Sequence, residues 1–180
     1  MFFLYQILII ILLILSPLII GIRILKKKED KIRFKEKFCF PSKKRVKGNL
    51  IWFHGSSVGE ILSILPLVYE LEKNNSINQI LITSSTLSSA EIFKKFKFTK
   101  TVHQFFPIDS IFFSHKFLKY WKPTITIFVE SEIWPSIFKT LNRKNIPLLL
   151  LNARITKKTF IKWNYIKSFS KNIFRNISIA

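Results

Sequence analysis

Residues 49–60, NLIWFHGSSVGE, constrain the fold more tightly than any other stretch of the chain. A short apolar run ends at His54, a glycine turn follows, and Ser57-Val58-Gly59-Glu60 opens an amphipathic segment. That order reads as strand, tight turn and helix start, with a carboxylate in the first helical turn. In open α/β sheets, ligands bind outside the carboxyl ends of the strands. Glu130-Ser131-Glu132 stands at the same kind of position, after another apolar run. The 180-residue chain has only ten acidic residues, so carboxylates at two such ends mark candidate sites.

Beyond Gly48, apolar runs alternate with amphipathic ones. Strands are expected at 50–54, 79–83, 101–105, 125–129 and 148–151. Helices are expected at 57–73, 87–96, 110–120 and 135–143, with a basic one from Thr156 onward. This alternation predicts an α/β fold, a parallel sheet with helices on both faces. The strands are almost continuously apolar, as expected when both faces are covered. Pro135 suits the first turn of a helix. Pro66 falls inside a helical pattern and is expected to kink or weaken it. The closing NISIA reads as the start of a further strand, so the architecture is expected to stop mid-element.

The first 22 residues stand apart. Residues 2–22 carry no charge and are almost all Ile, Leu and Phe. At ~1.5 Å per residue they are long enough to cross a hydrocarbon core of roughly 30 Å. They lack the basic start and small-residue cleavage site of a signal peptide. The expectation is a single-pass transmembrane anchor over 1–25 and a basic juxtamembrane linker over 26–48. Residues 23–47 hold twelve Lys and Arg against Glu29, Asp30 and Glu36, a net of +9. The positive-inside rule then puts the following domain, 49–180, on the cytoplasmic side of the membrane. Those charges also suit anionic head groups.

The overall charge of +20 invites a nucleic-acid reading. No nucleic-acid motif accompanies it, and a background bias toward Lys, Asn, Ile and Phe accounts for part of the excess. No nucleic-acid partner is expected. Cys39 is the single cysteine, so there is no disulfide framework, and no Cys/His spacing matches a zinc site. Neither a metal nor a cofactor is expected.

Each candidate residue has two readings. Ser57-x-x-Glu60 is a capping box, in which the serine accepts from the Glu60 amide and the glutamate reaches back. The same carboxylate, kept ionised by the helix N-terminus, could accept a proton. Glu130 and Glu132 share a face if the strand continues and diverge if the chain turns. They could cap the following helix or flank a site; a metal would need more oxygen ligands than this loop offers. Thr83-Ser84-Ser85-Thr86 could cap a helix or receive an anion. Arg154 could fork onto a phosphate or carboxylate, or be a solvated charge.

Four motifs occur in order: HGSSVGE at 54–60, FPID at 106–109, ESEIWP at 130–135 and LLNARI at 150–155. With the apolar N-terminus and RFKEKF at 33–38, the chain resembles the 3-deoxy-D-manno-octulosonic acid (Kdo) transferases of lipopolysaccharide assembly. It departs from the family's pattern at Leu87-Ser88-Ser89, where Pro-Thr-Gly is usual. The resemblance implies the N-terminal, Rossmann-like acceptor half of a two-domain GT-B glycosyltransferase, with the C-terminal donor-binding domain absent. It implies Kdo transfer from CMP-Kdo to the lipid A precursor with inversion. Glu60 would be the general base, and Glu130, His54, Ser57 and Arg154 would support the site or the acceptor. Two alternatives stand beside it: an inactive, truncated, membrane-anchored remnant that binds anionic lipid, and a related glycosyltransferase using another sugar.

Overall fold

The computed structural model describes residues 1–130 and 132–180; Ser131 of the ESEIWP motif lies outside the described residues. Five strands, β1 (Leu50–His54), β2 (Gln79–Ser84), β3 (Thr101–Phe105), β4 (Ile125–Val129) and β5 (Leu148–Leu151), form one parallel sheet in the order β3-β2-β1-β4-β5. The long apolar helix α1 (Phe2–Leu25) precedes them. Helices α2 (Val58–Lys73), α3 (Leu87–Phe93), α4 (Ile111–Trp121) and α5 (Pro135–Arg143) form the crossovers. Two short helices, α6 (Lys157–Tyr165) and α7 (Lys167–Phe174), follow β5. Ile179 then bridges Leu149 in parallel, so the closing NISIA adds a sixth position beside β5.

The period of two along β1 divides the core. Trp52 points to one face with Phe106, Phe117, Trp121, Phe128 and Phe138. Phe53 points to the other with Ile61, Ile64, Val68, Ile80 and Ile82. Each fully buried ring contributes roughly 1.5–3 kcal/mol relative to exposure, so the aromatic face is the larger source of stability. Helix α3 stops at Phe93, three residues short of the expected end, with Lys94 as its C-cap. Helix α2 runs unbroken through Pro66, so the expected weak point does not end it.

The stretch expected to be a linker is built into the fold. Residues 33–38 form a 3₁₀ turn whose Glu36 is buried. The Phe105 amide donates to Glu36 Oε2 at 2.7 Å, and Arg33 clasps the same carboxylate through Nε and Nη2. Gln79 accepts from the Val46 amide at 2.9 Å and donates to the Lys44 carbonyl at 2.9 Å. The reason is chemical: a carboxylate that satisfies the edge strand β3 cannot be left in a solvated tether.

Asp109, of the FPID motif, ties β3 to α5. It accepts from the Ser136 amide at 2.9 Å and the Ile137 amide at 2.8 Å, capping a helix whose own N-cap residue, Trp134, offers no side-chain acceptor. Burial pushes the Asp109 carboxyl above its ordinary range, against the hydrogen bonds that favour the ionised form.

Candidate active site

The central strand β1 delivers the site. Its register sets His54 between Thr83 of β2 and Phe128 of β4, at the carboxyl edge of the sheet. The chain then turns through Gly55-Ser56, and Ser57 caps α2 by accepting from the Glu60 amide at 3.2 Å. Half of the expected capping box is therefore present. The other half is displaced by one residue: Glu60 Oε2 accepts from the Ser56 amide at 2.8 Å, not from Ser57. Gly55 makes room for this. A Cβ there would lie 3.0 Å from Glu60 Cβ and 3.6 Å from its Oε2. Glu60 is 8% exposed, and among the described residues its Oε1 accepts no hydrogen bond.

Ser56 joins this carboxylate to a second one. Its hydroxyl donates to Glu132 Oε2 at 2.8 Å and lies 3.0 Å from the Ser85 hydroxyl. Its carbonyl accepts from Ser89 Oγ at 3.1 Å. Glu132 Oε2 also accepts from the Trp134 indole at 2.8 Å. His54 completes the group. Its ring stacks on Phe106 at 3.9 Å between centroids, with Nδ1 3.1 Å from the Thr83 carbonyl. Its Nε2 lies 3.4 Å from Glu132 Oε2. Nε2 has no hydrogen-bond partner among the described residues. Burial alone would raise the Glu132 carboxyl. The His54 ring, the Ser56 hydroxyl and the Trp134 indole outweigh it and hold the group below the ordinary glutamate range.

Glu130 goes elsewhere. Its φ of +57° turns the chain at the end of β4, and its amide donates to the Leu151 carbonyl at 2.8 Å. The two glutamates therefore diverge. Glu130 is exposed and shares a cleft of about 250 Å³ with Arg154, Leu150, Ile155 and Trp163. That cleft shares no lining residue with the Glu60–Ser56–Glu132 group. Thus His54, Ser57 and Glu60 come together, while Glu130 and Arg154 form a neighbouring feature on the β4–β5 side.

Sequence reasoning passed over Ser56 and put Glu130 ahead of Glu132. The available signal was the serine doublet: a hydroxyl just before an N-cap serine has its own amide and side chain free for partners other than the helix. Thr83 and Ser84 end β2, and Thr86 caps α3 by accepting from the Ser89 amide at 3.2 Å. The hydroxyl run is thus used mainly in capping and in orienting Ser56.

Comparison with known proteins identifies the family. Residues 32–180 match the family model described as 3-deoxy-D-manno-octulosonic-acid transferase (kdotransferase). The chain is 41% identical over 177 residues to the 3-deoxy-D-manno-octulosonic acid transferase of Rickettsia bellii, covering 97% of this chain and 42% of that protein. It is 30% identical over 179 residues to the transferase of the same name from Haemophilus influenzae, covering 94% of this chain and 40% of that protein. The chain thus spans well under half the length of these two relatives.

Proposed function

The chain belongs to the 3-deoxy-D-manno-octulosonic-acid transferase family, and from that premise we propose that it carries the acceptor side of Kdo transfer in lipopolysaccharide synthesis. In this reading it is the N-terminal portion of a GT-B glycosyltransferase. The donor is CMP-Kdo, the acceptor is a lipid A precursor, and the domain works on the cytoplasmic face of an inner membrane. The basic surface, +20 overall, suits an acceptor that carries phosphates among anionic lipids.

One observation carries the assignment: the buried Glu60 carboxylate is gripped through Oε2 by the Ser56 amide, with Oε1 left unengaged among the described residues. Glu60 Oε1 would accept the proton of an acceptor hydroxyl. That oxygen would form a bond to the anomeric carbon of Kdo as the bond to the CMP phosphate breaks. The electron pair would leave with CMP, and attack from the opposite side inverts the configuration. Ser56 would hold the base in register, and Glu132 with His54 would hold Ser56. Glu130 and Arg154, in their own cleft, would meet the acceptor or the donor-binding portion.

The test is Kdo transfer from CMP-Kdo to a lipid A precursor by this chain fused to the remaining C-terminal portion of the Rickettsia bellii relative. Glu60→Gln keeps a carbonyl oxygen for the Ser56 amide and removes the base. The expected loss is roughly 10²–10⁴-fold in rate with a nearly unchanged melting temperature. A rate close to wild type would overturn the assignment. Release of CMP without an acceptor requirement would count against the acceptor-side reading.

A further inference from the structure

Helix α1 is docked along its length on the domain. Tyr5, Ile9, Leu13, Ser16 and Ile20 recur every three or four residues and form one buried or half-buried stripe. At the N-terminal end, the Tyr5 hydroxyl donates to Asp109 Oδ2 at 2.6 Å, and Gln6 donates to Ser136 Oγ at 2.8 Å. The Lys139 ammonium stands 4.0 Å from the Phe2 ring centroid. At the C-terminal end, Arg23 pairs with buried Glu29, which Lys37 also holds. There Arg23, Lys27 and Lys28 line a cleft together with Thr86, Leu87 and Glu91 of the α3 start. The opposite stripe, Leu4, Leu8, Ile11, Leu15, Leu18 and Ile22, is exposed and wholly apolar.

These contacts bear on how an apolar helix of this length meets a bilayer. Its 24 residues span ~36 Å, enough to cross. A crossing helix, however, puts its two ends on opposite sides of the hydrocarbon. Both ends of α1 touch the same charged domain, which cannot enter that hydrocarbon.

We propose that α1 lies in the plane of one leaflet, its Leu4–Ile22 stripe sunk among acyl chains and its Tyr5–Ile20 stripe fixed to the domain, rather than crossing the bilayer. The surface it fits is anionic phospholipid. Lys26, Lys27, Lys28 and Lys31 stand at the helix end, where head groups of negative charge would meet them. The elements under α1 are the starts of α3, α4 and α5, all at the carboxyl edge of the sheet. The membrane plane therefore runs beside the edge that carries Glu60. On the Kdo-transfer reading, a lipid-borne acceptor reaches Glu60 without leaving its leaflet; the placement of α1 itself does not depend on that reading.

The experiment is a depth profile of nitroxide labels on the full chain bound to vesicles of phosphatidylethanolamine and phosphatidylglycerol. Labels go on Leu4→Cys, Ile11→Cys, Leu18→Cys and Ile22→Cys, all exposed positions; native Cys39 is buried and stays unlabelled. The expected result is one shallow depth at all four positions, roughly 5–10 Å below the head groups. A profile deepest at Ile11, near the midplane about 15 Å down, overturns the proposal, as does failure to bind the vesicles. A second measurement uses the unaltered chain in inverted inner-membrane vesicles treated with a membrane-impermeant amine reagent. The Met1 amino group is expected to react as readily as domain lysines; its protection overturns the proposal. Neither readout involves sugar transfer, so an inactive enzyme with a uniform shallow profile would count against the functional reading alone.

Discussion

Nε2 of His54 stands 3.4 Å from Oε2 of Glu132, and Nδ1 of the same ring faces the Thr83 carbonyl at 3.1 Å. Nδ1 also lies 3.0 Å from the Thr83 hydroxyl, and Glu132 Oε2 receives the Ser56 hydroxyl and the Trp134 indole. Glu132→Ala is expected to cost the chain roughly 1–3 kcal/mol in urea unfolding, because buried donors lose their acceptor. Glu132→Gln should recover most of that, since the amide oxygen still accepts from Ser56 and Trp134. Equal stability of the alanine variant and wild type would show that the group contributes nothing to the fold.

Gly55 allows Glu60 its close approach to the turn. An added Cβ would be 3.0 Å from Glu60 Cβ, so the helix start must give by a few tenths of an ångström. Gly55→Ala is therefore expected to lower Kdo transfer by the fused enzyme at least ~10-fold, since sub-ångström misplacement of a base is costly in rate. The stability loss should stay near 1 kcal/mol, as this φ needs no left-handed backbone. Full activity in Gly55→Ala would show that Glu60 need not sit where the structure has it.

Much of this was legible in the sequence for physical reasons that act locally. The five strands fall within one residue of expectation because short apolar runs bounded by Gly, Pro, Asn or Ser have few other ways to be buried. Ser57 announced its helix by capping it. What failed was non-local. Nothing local to Glu36 says that its carboxylate will satisfy the Phe105 amide, 69 residues away, so residues 26–48 read as a tether. Glu130 stood ahead of Glu132 by resemblance, but a left-handed φ at Glu130 turns it into a cleft away from the Ser56–Glu132 contact. The break between α6 and α7 at Ile166 lies in a basic helical pattern without Gly or Pro to mark it. Ser56 was hidden because its partners, Glu132 and Ser85, come from two other strand ends.

The Asp109 carboxylate accepts three long-range hydrogen bonds, two from the start of α5 and one from Tyr5 of α1. Asp109→Asn keeps one carbonyl oxygen and replaces the other by a donor, which would face the Ser136 or Ile137 amide. A loss of about 2 kcal/mol is expected, near the upper end for a lost cap. Tyr5→Phe removes only the contact to α1 and should cost less than half as much. If Tyr5→Phe proved the more damaging, the α1 contact would outweigh the capping role given to Asp109.

His103 supplies a dependence on pH. Arg33 Nη2, which can only donate, lies 2.9 Å from His103 Nδ1, and Nε2 lies 2.9 Å from the Ser84 hydroxyl. Nδ1 is thus the acceptor, and the ring is neutral. Burial first, and the Arg33 charge second, push its pKa down from 6.5 to about 3. Between those values the unfolded chain binds a proton that the folded chain does not. The contribution is fully present above pH 6.5 and is lost as pH falls toward 3, at ~1.4 kcal/mol per unit. Glu132, held below 4.5, adds a loss only at lower pH, and Asp109, pushed up by burial, acts in the opposite direction. The comparison that isolates His103 is with His103→Gln, whose amide can accept from Arg33 and donate to Ser84 without titrating. From pH 7 to pH 5, wild type is expected to lose about 2 kcal/mol more unfolding free energy than His103→Gln, measured by urea denaturation. Parallel pH profiles for the two proteins would mean that His103 takes up its proton in the folded state and that Arg33 does not hold it neutral.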